Sequence, residues 1–200
     1  MTRRPGDATP GGGRPALPRA FFERPTLQVA RELLGAILVH RLPEGRRLAG
    51  RILETEAYIG DDAASHARTG PTGRATVMFG EAGLAYVYLI YGMYHCFNIV
   101  TERAGFPAAV LVRAVETRES AAGRRASGPG LVCRALEIDR TLNGVNLTGG
   151  RLFLEPGEPV PDVVVRVGPR IGVGYAGAWA ELPWRFWTAS PMITDTGRRM

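Results

Sequence analysis

The sequence predicts a single mixed α+β domain: a curved, mainly antiparallel sheet flanked by helices, with one protruding β-hairpin. Three observations support this fold class. Several apolar segments of strand length are bounded by Gly, Pro or Asp. Two other segments carry the start and stop signals of helices. The chain has 200 residues, of which 45% are apolar, and no internal repeat, which suits one buried core.

The first predicted element follows a tail. Residues 1–17 are rich in Gly, Pro, Arg and Thr, so we expect a disordered tail and a domain at 18–200. Thr26 predicts the N-cap of a helix whose apolar residues recur at helical spacing up to Leu34. Gly35 predicts its end.

Strands come next. The segments AILVH (36–40) and AGRILETEAY (49–58) predict two of them. The stretch 60–76 is typical of a loop. Residues 85–100 predict two strands joined by a turn at Gly92-Met93.

The C-terminal half is also predicted to contain both strands and a helix. The segment AAVLVRAVE (108–116) predicts a buried strand, and a loop of Gly, Arg and Ser follows it. Pro129 suits a helix start, with 131–138 as a short helix. Two further strands are predicted within 163–168 and 184–190.

Charge and residue usage narrow the function. The net charge is +6, which favours a polyanionic partner such as nucleic acid. All 25 basic residues are arginine, so a lysine Schiff base and a P-loop lysine are both excluded. The two cysteines indicate no disulfide framework, and we expect a cytoplasmic protein. No apolar run has the length needed to cross a bilayer.

The segment GVGYAG matches the glycine pattern of a dinucleotide site through Gly172, Gly174 and Gly177. Such a site needs a βαβ unit and an acidic residue about 20 positions further on. Few residues remain after Gly177, and Pro183 interrupts the required helix. We therefore reject this motif.

Paired carboxylates are a better indication of chemistry. Strand alternation places Glu54, Glu56 and Tyr58 of ILETEAY on one face. The glutamates fit either an acid/base pair or an exposed strand face. Arg113 lies in a strand that is apolar on both sides, so its guanidinium should be buried against a carboxylate. Glu54 and Glu56 are candidates for that partner, and Glu116 is the alternative.

The aromatic stretch YVYLIYGMYHCFN is the other unusual feature. Tyr91 and Tyr94 flank the predicted turn, where large aromatics are uncommon. They either insert into a partner, as the wedges of minor-groove proteins do, or are covered by a neighbouring loop. His66 lies in a polar loop, where a lone histidine is usually solvated. The three histidines and two cysteines show no zinc spacing, so we expect no metal.

Four long segments, in order, resemble the alkyladenine (3-methyladenine) DNA glycosylase family. They are GRILETEAYIGDDAASHA, MFGEAGLAYVYLIYGMYHCFNIVT, AAVLVRAVE and RIGVGYAGAWAELPWRFW, and the resemblance runs from about Phe21 to Ser190. It implies a monofunctional enzyme that flips an alkylated or deaminated purine out of duplex DNA and hydrolyses its N-glycosidic bond. It also implies double-stranded DNA with damaged purines as the partner, no cofactor, a monomer, and a place at the nucleoid.

The resemblance assigns roles to seven residues. Glu56 would be the general base that activates water, and Arg113 would help to hold that water. A buried Arg113 is expected to keep the Glu56 carboxylate ionised. The other five assignments are stacking on the flipped base by Tyr58, His66 and Tyr88, exclusion of the guanine amino group by Asn98, and insertion into the duplex by Tyr91.

Two consequences can be checked against a structure. If Tyr88 and Asn98 line one pocket, the hairpin between them needs an odd-length turn or a bulge. His66 would be only a weak candidate for protonating a neutral leaving base.

The chain also departs from the family pattern. Gly73 and Ala75 stand where the family has proline and asparagine, Leu131 where lysine is common, and Ala178 where glutamate is usual. These departures bear on DNA affinity and loop order more than on catalysis.

Two other classes of function are open to the residues alone. One is a catalytically idle lesion-binding or minor-groove protein with the same pocket. The other is a carbohydrate glycosidase using Glu54 and Glu56, which accounts for neither the arginine excess nor the tip tyrosines.

Overall fold

The computed structural model of the chain describes residues 14–117 and 124–188. Within these ranges there are three short α-helices and nine strands. The helices are α1 (Arg19–Phe22), α2 (Thr26–Glu32) and α3 (Pro129–Ala135). The strands are β1 (Ile37–Arg41), β2 (Arg47–Ile59), β3 (Ala85–Ile90), β4 (Tyr94–Val100), β5 (Ala108–Thr117), β6 (Arg124–Ser127), β7 (Leu152–Glu155), β8 (Arg166–Gly168) and β9 (Arg185–Trp187).

All of these strands pair in antiparallel fashion in one open sheet with the order β3-β4-β5-β2-β1-β7. The central strand β2 has 13 residues and pairs with β5 along one edge. Its other edge is divided between β1 and β9. The strand β6 extends the sheet beside β5, and β8 does so beside β9. The predicted α+β class with a mainly antiparallel sheet is confirmed.

The helices cover one face of the sheet because their apolar sides need a partner surface. Val29 and Ala30 of α2, and Val132 and Cys133 of α3, are buried in the main hydrophobic core. The alternating residues of β2 and β5 complete that core from the sheet side. Two smaller buried clusters lie apart from this core, one around Met78 and Tyr86 and the other around Ala64 and Val173.

The start of α2 corrects one prediction. Thr26 is the first residue of the helix rather than its cap, and Pro25 occupies the cap position without a side-chain hydrogen bond. Glu102, from a distant loop, accepts from the backbone N–H of Thr26 at 3.1 Å and from its hydroxyl at 2.5 Å. A remote carboxylate thus does the work of a local cap. Gly35 ends the helical segment with φ +89°, as predicted.

The hairpin β3–β4 confirms the predicted odd-length turn. Ile90 pairs with Tyr94, so the turn consists of the three residues Tyr91, Gly92 and Met93. Tyr91 itself adopts φ +53° inside the turn instead of preceding it. The same register places Tyr88 and Asn98 on one face of the hairpin.

Several bounds differ from the predictions. Two strands, β6 and β7, were not predicted: β6 pairs with the preceding strand β5, and β7 pairs with β1, which is distant in sequence. Two short 3₁₀ turns, His66–Thr69 and Gly73–Phe79, occupy the predicted loop. The predicted strand at 184–190 is only the three residues of β9, and its last two positions lie outside the described residues.

The predicted tail lies mostly outside the described residues, but its end does not. Leu17 is buried, and its backbone N–H donates to the carbonyl of Leu154 at 2.7 Å. Arg14 reaches the carbonyl of Pro156. The described chain thus contacts the domain from Arg14 onward, with Leu17 the buried residue of this stretch, and the domain start at residue 18 stays a prediction. None of the described helices is long and apolar enough to span a bilayer.

Candidate active site

A pocket of about 180 Å³ lies between β2, the hairpin, the 3₁₀ turn at His66 and the segment after β8. Pockets for drug-sized ligands are larger, about 300–1,000 Å³, whereas a cavity of about 150 Å³ accepts benzene. The pocket is therefore of a size for one ring system rather than a whole nucleotide. Six of its lining residues are aromatic or imidazole side chains: Tyr58, His66, Tyr86, Tyr88, Tyr91 and Tyr175.

A buried carboxylate lies directly behind this wall. Glu56 is 0% exposed, and each of its oxygens accepts a hydrogen bond from a residue that lines the pocket. Oε2 accepts from the Tyr58 hydroxyl at 2.9 Å and from Arg113 Nη1 at 3.3 Å. Oε1 accepts from the backbone N–H of Ile171 at 2.8 Å.

Burial dominates the protonation of this carboxylate. It raises the pKa of Glu56 above its ordinary value, while Arg113, the Ile171 N–H and the Tyr58 hydroxyl act in the opposite direction. The expected influence of Arg113 is therefore right in sign but smaller than the effect of burial. A desolvated carboxylate with a raised pKa is a stronger proton acceptor than an exposed one, which suits a general base.

Arg113 is held by two carboxylates, as predicted. Its Nη1 lies 3.3 Å from Glu56 Oε2, and its Nε lies 3.4 Å from Glu54 Oε1 in an ion pair without hydrogen-bond alignment. Arg185 from β9 approaches Glu54 at 3.2 Å. The pairing of β2 with β5 breaks around Leu53 and again around Arg113, and such bulges re-aim side chains. The two glutamates are thus a buried charge cluster and not an exposed strand face.

His66 is part of the pocket wall rather than a solvated loop residue. Its ring lies edge-on to Tyr88, with centroids 4.6 Å apart, and its Nδ1 is 2.9 Å from the Tyr86 hydroxyl. Arg74 Nη2 lies 3.3 Å from His66 Nε2. A guanidinium can only donate, so Nε2 accepts and Nδ1 carries the hydrogen of the neutral ring.

His66 should titrate far below its ordinary range. Burial, and secondarily the Arg74 guanidinium, lower its pKa from 6.5 to about 4. The unfolded chain then binds this proton more tightly. The contribution of His66 to stability is present above about pH 6.5 and is lost as the pH falls towards 4. At neutral pH this ring has no spare proton to give to a leaving base.

NMR titration of the His66 imidazole measures this directly. Arg74→Gln should raise the pKa of His66, because it removes a positive charge from Nε2. Arg68→Gln, at an exposed arginine of the same turn, is the matched control and should leave the pKa unchanged. A wild-type His66 that titrates near 6.5 would contradict the geometry.

Asn98 and Tyr91 occupy opposite ends of the pocket. Asn98 is buried, and its Nδ2 donates to the carbonyl of Tyr86 at 3.1 Å, which fixes the orientation of the amide. Tyr91 is 84% exposed at the tip of the hairpin, so no neighbouring loop covers it. Tyr94 is half-exposed, and its ring lies against Gly130 at the start of α3. All seven residues assigned from sequence therefore lie in or directly behind one pocket.

One departure from the family pattern has a physical reason. Gly73 adopts φ +51°, which the ring of proline cannot reach. Ala75 is buried in the cluster beneath this turn, whereas Leu131 and Ala178 are exposed. The turn at Gly73 therefore has a left-handed backbone conformation that favours glycine and excludes proline.

Sequence reasoning missed several residues of the site. Ile171 contributes only its backbone N–H, which no side-chain pattern reveals. Asp62 and Arg170 form a fully buried ion pair beside the pocket. The motif GVGYAG supplies Gly172, Val173 and Tyr175 to the wall. It lies between β8 and β9, which pair in antiparallel fashion, so these segments do not form the parallel βαβ unit that a dinucleotide site needs. Within the described ranges, no group of three or more His, Cys, Asp or Glu side chains is arranged to hold a metal ion.

Comparison with known proteins agrees with this geometry. Residues 20–191 match the family model described as methylpurine-DNA glycosylase. A relative in Myxococcus xanthus is 58% identical over 90% of this chain and 94% of its own length. Relatives in Methanocella arvoryzae and Legionella pneumophila are 54% and 48% identical, again over 90% of this chain and over 96% and 98% of their own lengths. All three carry the name "Putative 3-methyladenine DNA glycosylase".

Similarity over nine-tenths of the chain, together with the fold and the pocket, defines the class of protein as a DNA glycosylase, an enzyme of base-excision repair. Within that class, the chain belongs to the methylpurine-DNA glycosylase family.

Proposed function

We propose that this DNA glycosylase flips alkylated or deaminated purines, such as 3-methyladenine, 7-methylguanine, hypoxanthine and ethenoadenine, out of duplex DNA and hydrolyses their N-glycosidic bond. The observation that carries the proposal is the buried Glu56 carboxylate, which is bonded to three residues of a ring-sized aromatic pocket. The names of the relatives support 3-methyladenine as one substrate.

The reaction needs only water. As water attacks the sugar carbon, its proton passes to Glu56, and the electron pair of the broken C–N bond leaves with the base. A cationic alkylpurine becomes neutral when it takes that pair, so it needs no protonation. A neutral lesion such as hypoxanthine leaves as an anion instead and takes a proton from solvent water. In this proposal Arg113 helps to hold the water, and its hydrogen bond to Glu56 Oε2 supports that role. With no lysine in the chain, no Schiff base forms on a lysine, which fits a monofunctional enzyme without cofactor.

The aromatic wall suits a flat and electron-poor ligand. Tyr58 and Tyr88 offer ring faces, and a cationic base gains from contact with such faces when it is desolvated. Burial raises the pKa of both tyrosines, so they remain neutral phenols. Asn98, fixed by Tyr86, is placed to exclude the amino group of normal guanine. The substrate is proposed to be double-stranded DNA at the nucleoid, bound by one copy of the chain.

A base-release assay tests this function. Duplexes with a single 3-methyladenine, 7-methylguanine, hypoxanthine or ethenoadenine should lose that base, and undamaged duplex should not. Lesion binding without base release would instead support an idle lesion-binding protein. Competition by oligosaccharide but not by duplex DNA would support a carbohydrate glycosidase.

Tyr91→Ala should weaken lesion capture without disturbing the fold. The side chain is 84% exposed, so its loss removes little packing. A ring inserted into the duplex contributes about 1–3 kcal/mol of stacking, which corresponds to a loss of roughly 5- to 150-fold in lesion binding. Met93→Ala, at a 66% exposed residue of the same turn, is the matched control and should change binding much less. Equal lesion binding by Tyr91→Ala and wild type would exclude insertion.

A further inference from the structure

The pair Asp62–Arg170 is the most deeply buried ion pair among the described residues. Both side chains are 0% exposed, and the pair is bidentate, with Nη1 bonded to Oδ2 and Nη2 to Oδ1. Arg170 also donates to the backbone carbonyls of Ala57 at 2.9 Å and Trp179 at 3.0 Å. One guanidinium therefore joins β2 to two segments of the C-terminal region.

This pair contacts three of the four segments that enclose the pocket: β2, the segment that leads to His66, and the segment after β8. The Arg170 guanidinium lies over the Tyr58 ring, 4.7 Å from its centroid. The next residue, Ile171, holds Glu56 Oε1 through its N–H. Asp62 accepts from the backbone N–H of Ala64, at the start of the segment that leads to His66. The pair thus contacts Tyr58 directly, reaches Glu56 through Ile171, and holds Ala64, two residues before His66.

Stability alone does not account for it. Replacing a buried ion pair with apolar side chains is often neutral or stabilising, because burying two charges costs about as much as their attraction returns. In addition, Nε of Arg170 is buried without a hydrogen-bond partner in the described chain. The guanidinium also lies over the rings of Tyr58 and Trp184, 4.7 and 5.1 Å from their centroids, and such stacking orients the rings as well as stabilising them.

We propose that the Asp62–Arg170 pair is a positioning device for base excision, which orients the Tyr58 ring against the base and holds the Ile171 N–H on the Glu56 carboxylate. This inference rests on the proposed function. Neither residue touches the substrate; both act through Tyr58, Ile171 and the segment before His66. The bidentate fork of arginine is required, because it sets the plane that stacks on Tyr58.

The test uses two variants of the full chain, Asp62→Asn and Arg170→Lys, with Glu155→Gln as the matched control. Glu155 is also a buried carboxylate paired with an arginine distant in sequence, Arg47, and it does not line the pocket. Single-turnover base release from a 3-methyladenine duplex should fall on the order of 10²-fold for Asp62→Asn, since small misplacements of catalytic groups cost that much. Glu155→Gln should release base at the wild-type rate.

Two readouts separate positioning from simple support of the fold. Loss of the Ile171 contact removes one interaction that lowers the pKa of Glu56, so the acidic limb of the pH–rate profile should move to higher pH. The other charged or titratable groups beside Glu56, namely Arg113, Glu54 and Tyr58, are unchanged in these variants. Arg170→Lys keeps the positive charge but not the bidentate guanidinium. It should therefore keep most of the wild-type stability to urea while its rate of base release falls.

Each outcome decides the matter. If Arg170→Lys has the wild-type rate and pH profile as well as the wild-type stability, the pair is only structural and the proposal is overturned. The same holds if a folded Asp62→Asn protein keeps the wild-type pH limb and rate. If wild type itself releases no base, the proposed function fails instead, and the two failures are thus distinguishable.

Discussion

Glu56→Gln should lower the single-turnover rate of base release by about 10²- to 10⁴-fold, the range typical for loss of a general base. An amide has nearly the shape of the carboxylate, and its oxygen can still accept from the Ile171 N–H. It cannot take a proton from water. Binding of a lesion duplex should therefore remain close to that of wild type, while the chemical step is lost.

The matched control for this variant is Glu54→Gln. Glu54 is two residues away on the same strand face, is also buried and also contacts Arg113, but its partners are Arg113 and Arg185 rather than Tyr58 and Ile171. Its rate should fall far less. Continued base release by a folded Glu56→Gln protein, or an equal loss in the two variants, would remove Glu56 from the proposed mechanism.

Arg113→Met should destabilise the protein by about 3–5 kcal/mol, the usual cost of removing one partner from a buried ion pair. Glu56 would lose the cation that opposes the effect of burial, so its pKa would rise further. A carboxyl group with a raised folded-state pKa contributes stability at low pH and loses it as the pH rises through that pKa. The deficit relative to wild type should therefore be larger at pH 8 than at pH 5.

Urea unfolding at the two pH values measures this deficit. Arg47→Met is the control, because Arg47 also pairs with a buried glutamate across strands but its own side chain is 42% exposed. This ion pair is therefore partly screened by water already in the wild type, and its loss should cost less. Equal and pH-independent losses in the two variants would show that Glu54 and Glu56 do not depend on Arg113.

The variants Glu56→Gln and Arg113→Met also separate the catalytic role of the Glu54–Glu56–Arg113 cluster from its contribution to stability. Glu56→Gln removes a desolvated charge and leaves Arg113 paired with Glu54, so it should cost activity and less stability than Arg113→Met does. Arg113→Met instead removes the cation that pairs with both glutamates, so it should lower both activity and stability. A buried charge that is needed for activity but costs stability is an example of the trade-off between stability and activity.

Much of the site could be predicted from sequence because it depends on local geometry. The alternation of a strand places Glu56 and Tyr58 on one face, and both contact the same pocket wall. Shared-face pairing of Tyr88 and Asn98 required an odd-length turn, and the turn has three residues. A strand apolar on both sides predicted that Arg113 is buried against carboxylates.

Other features depend on which distant segments meet. Thr26 is capped by Glu102 from a remote loop, and β7 pairs with β1 across more than a hundred residues of chain. Ile171 binds the Glu56 carboxylate through its backbone N–H, so the identity of the Ile171 side chain does not predict this contact. The bulges around Leu53 and Arg113 follow from pairing and not from the composition of either strand.

The sequence by itself determined the family, the α+β class and several of the residues that line the pocket, because strand periodicity and long motifs are properties of the chain. Only the tertiary structure decided their chemical state. The net rise in the pKa of Glu56, the neutral His66 and the Asp62–Arg170 pair all follow from burial by segments that are distant in sequence. Desolvation depends on everything packed around a group, and that is settled only when the chain folds.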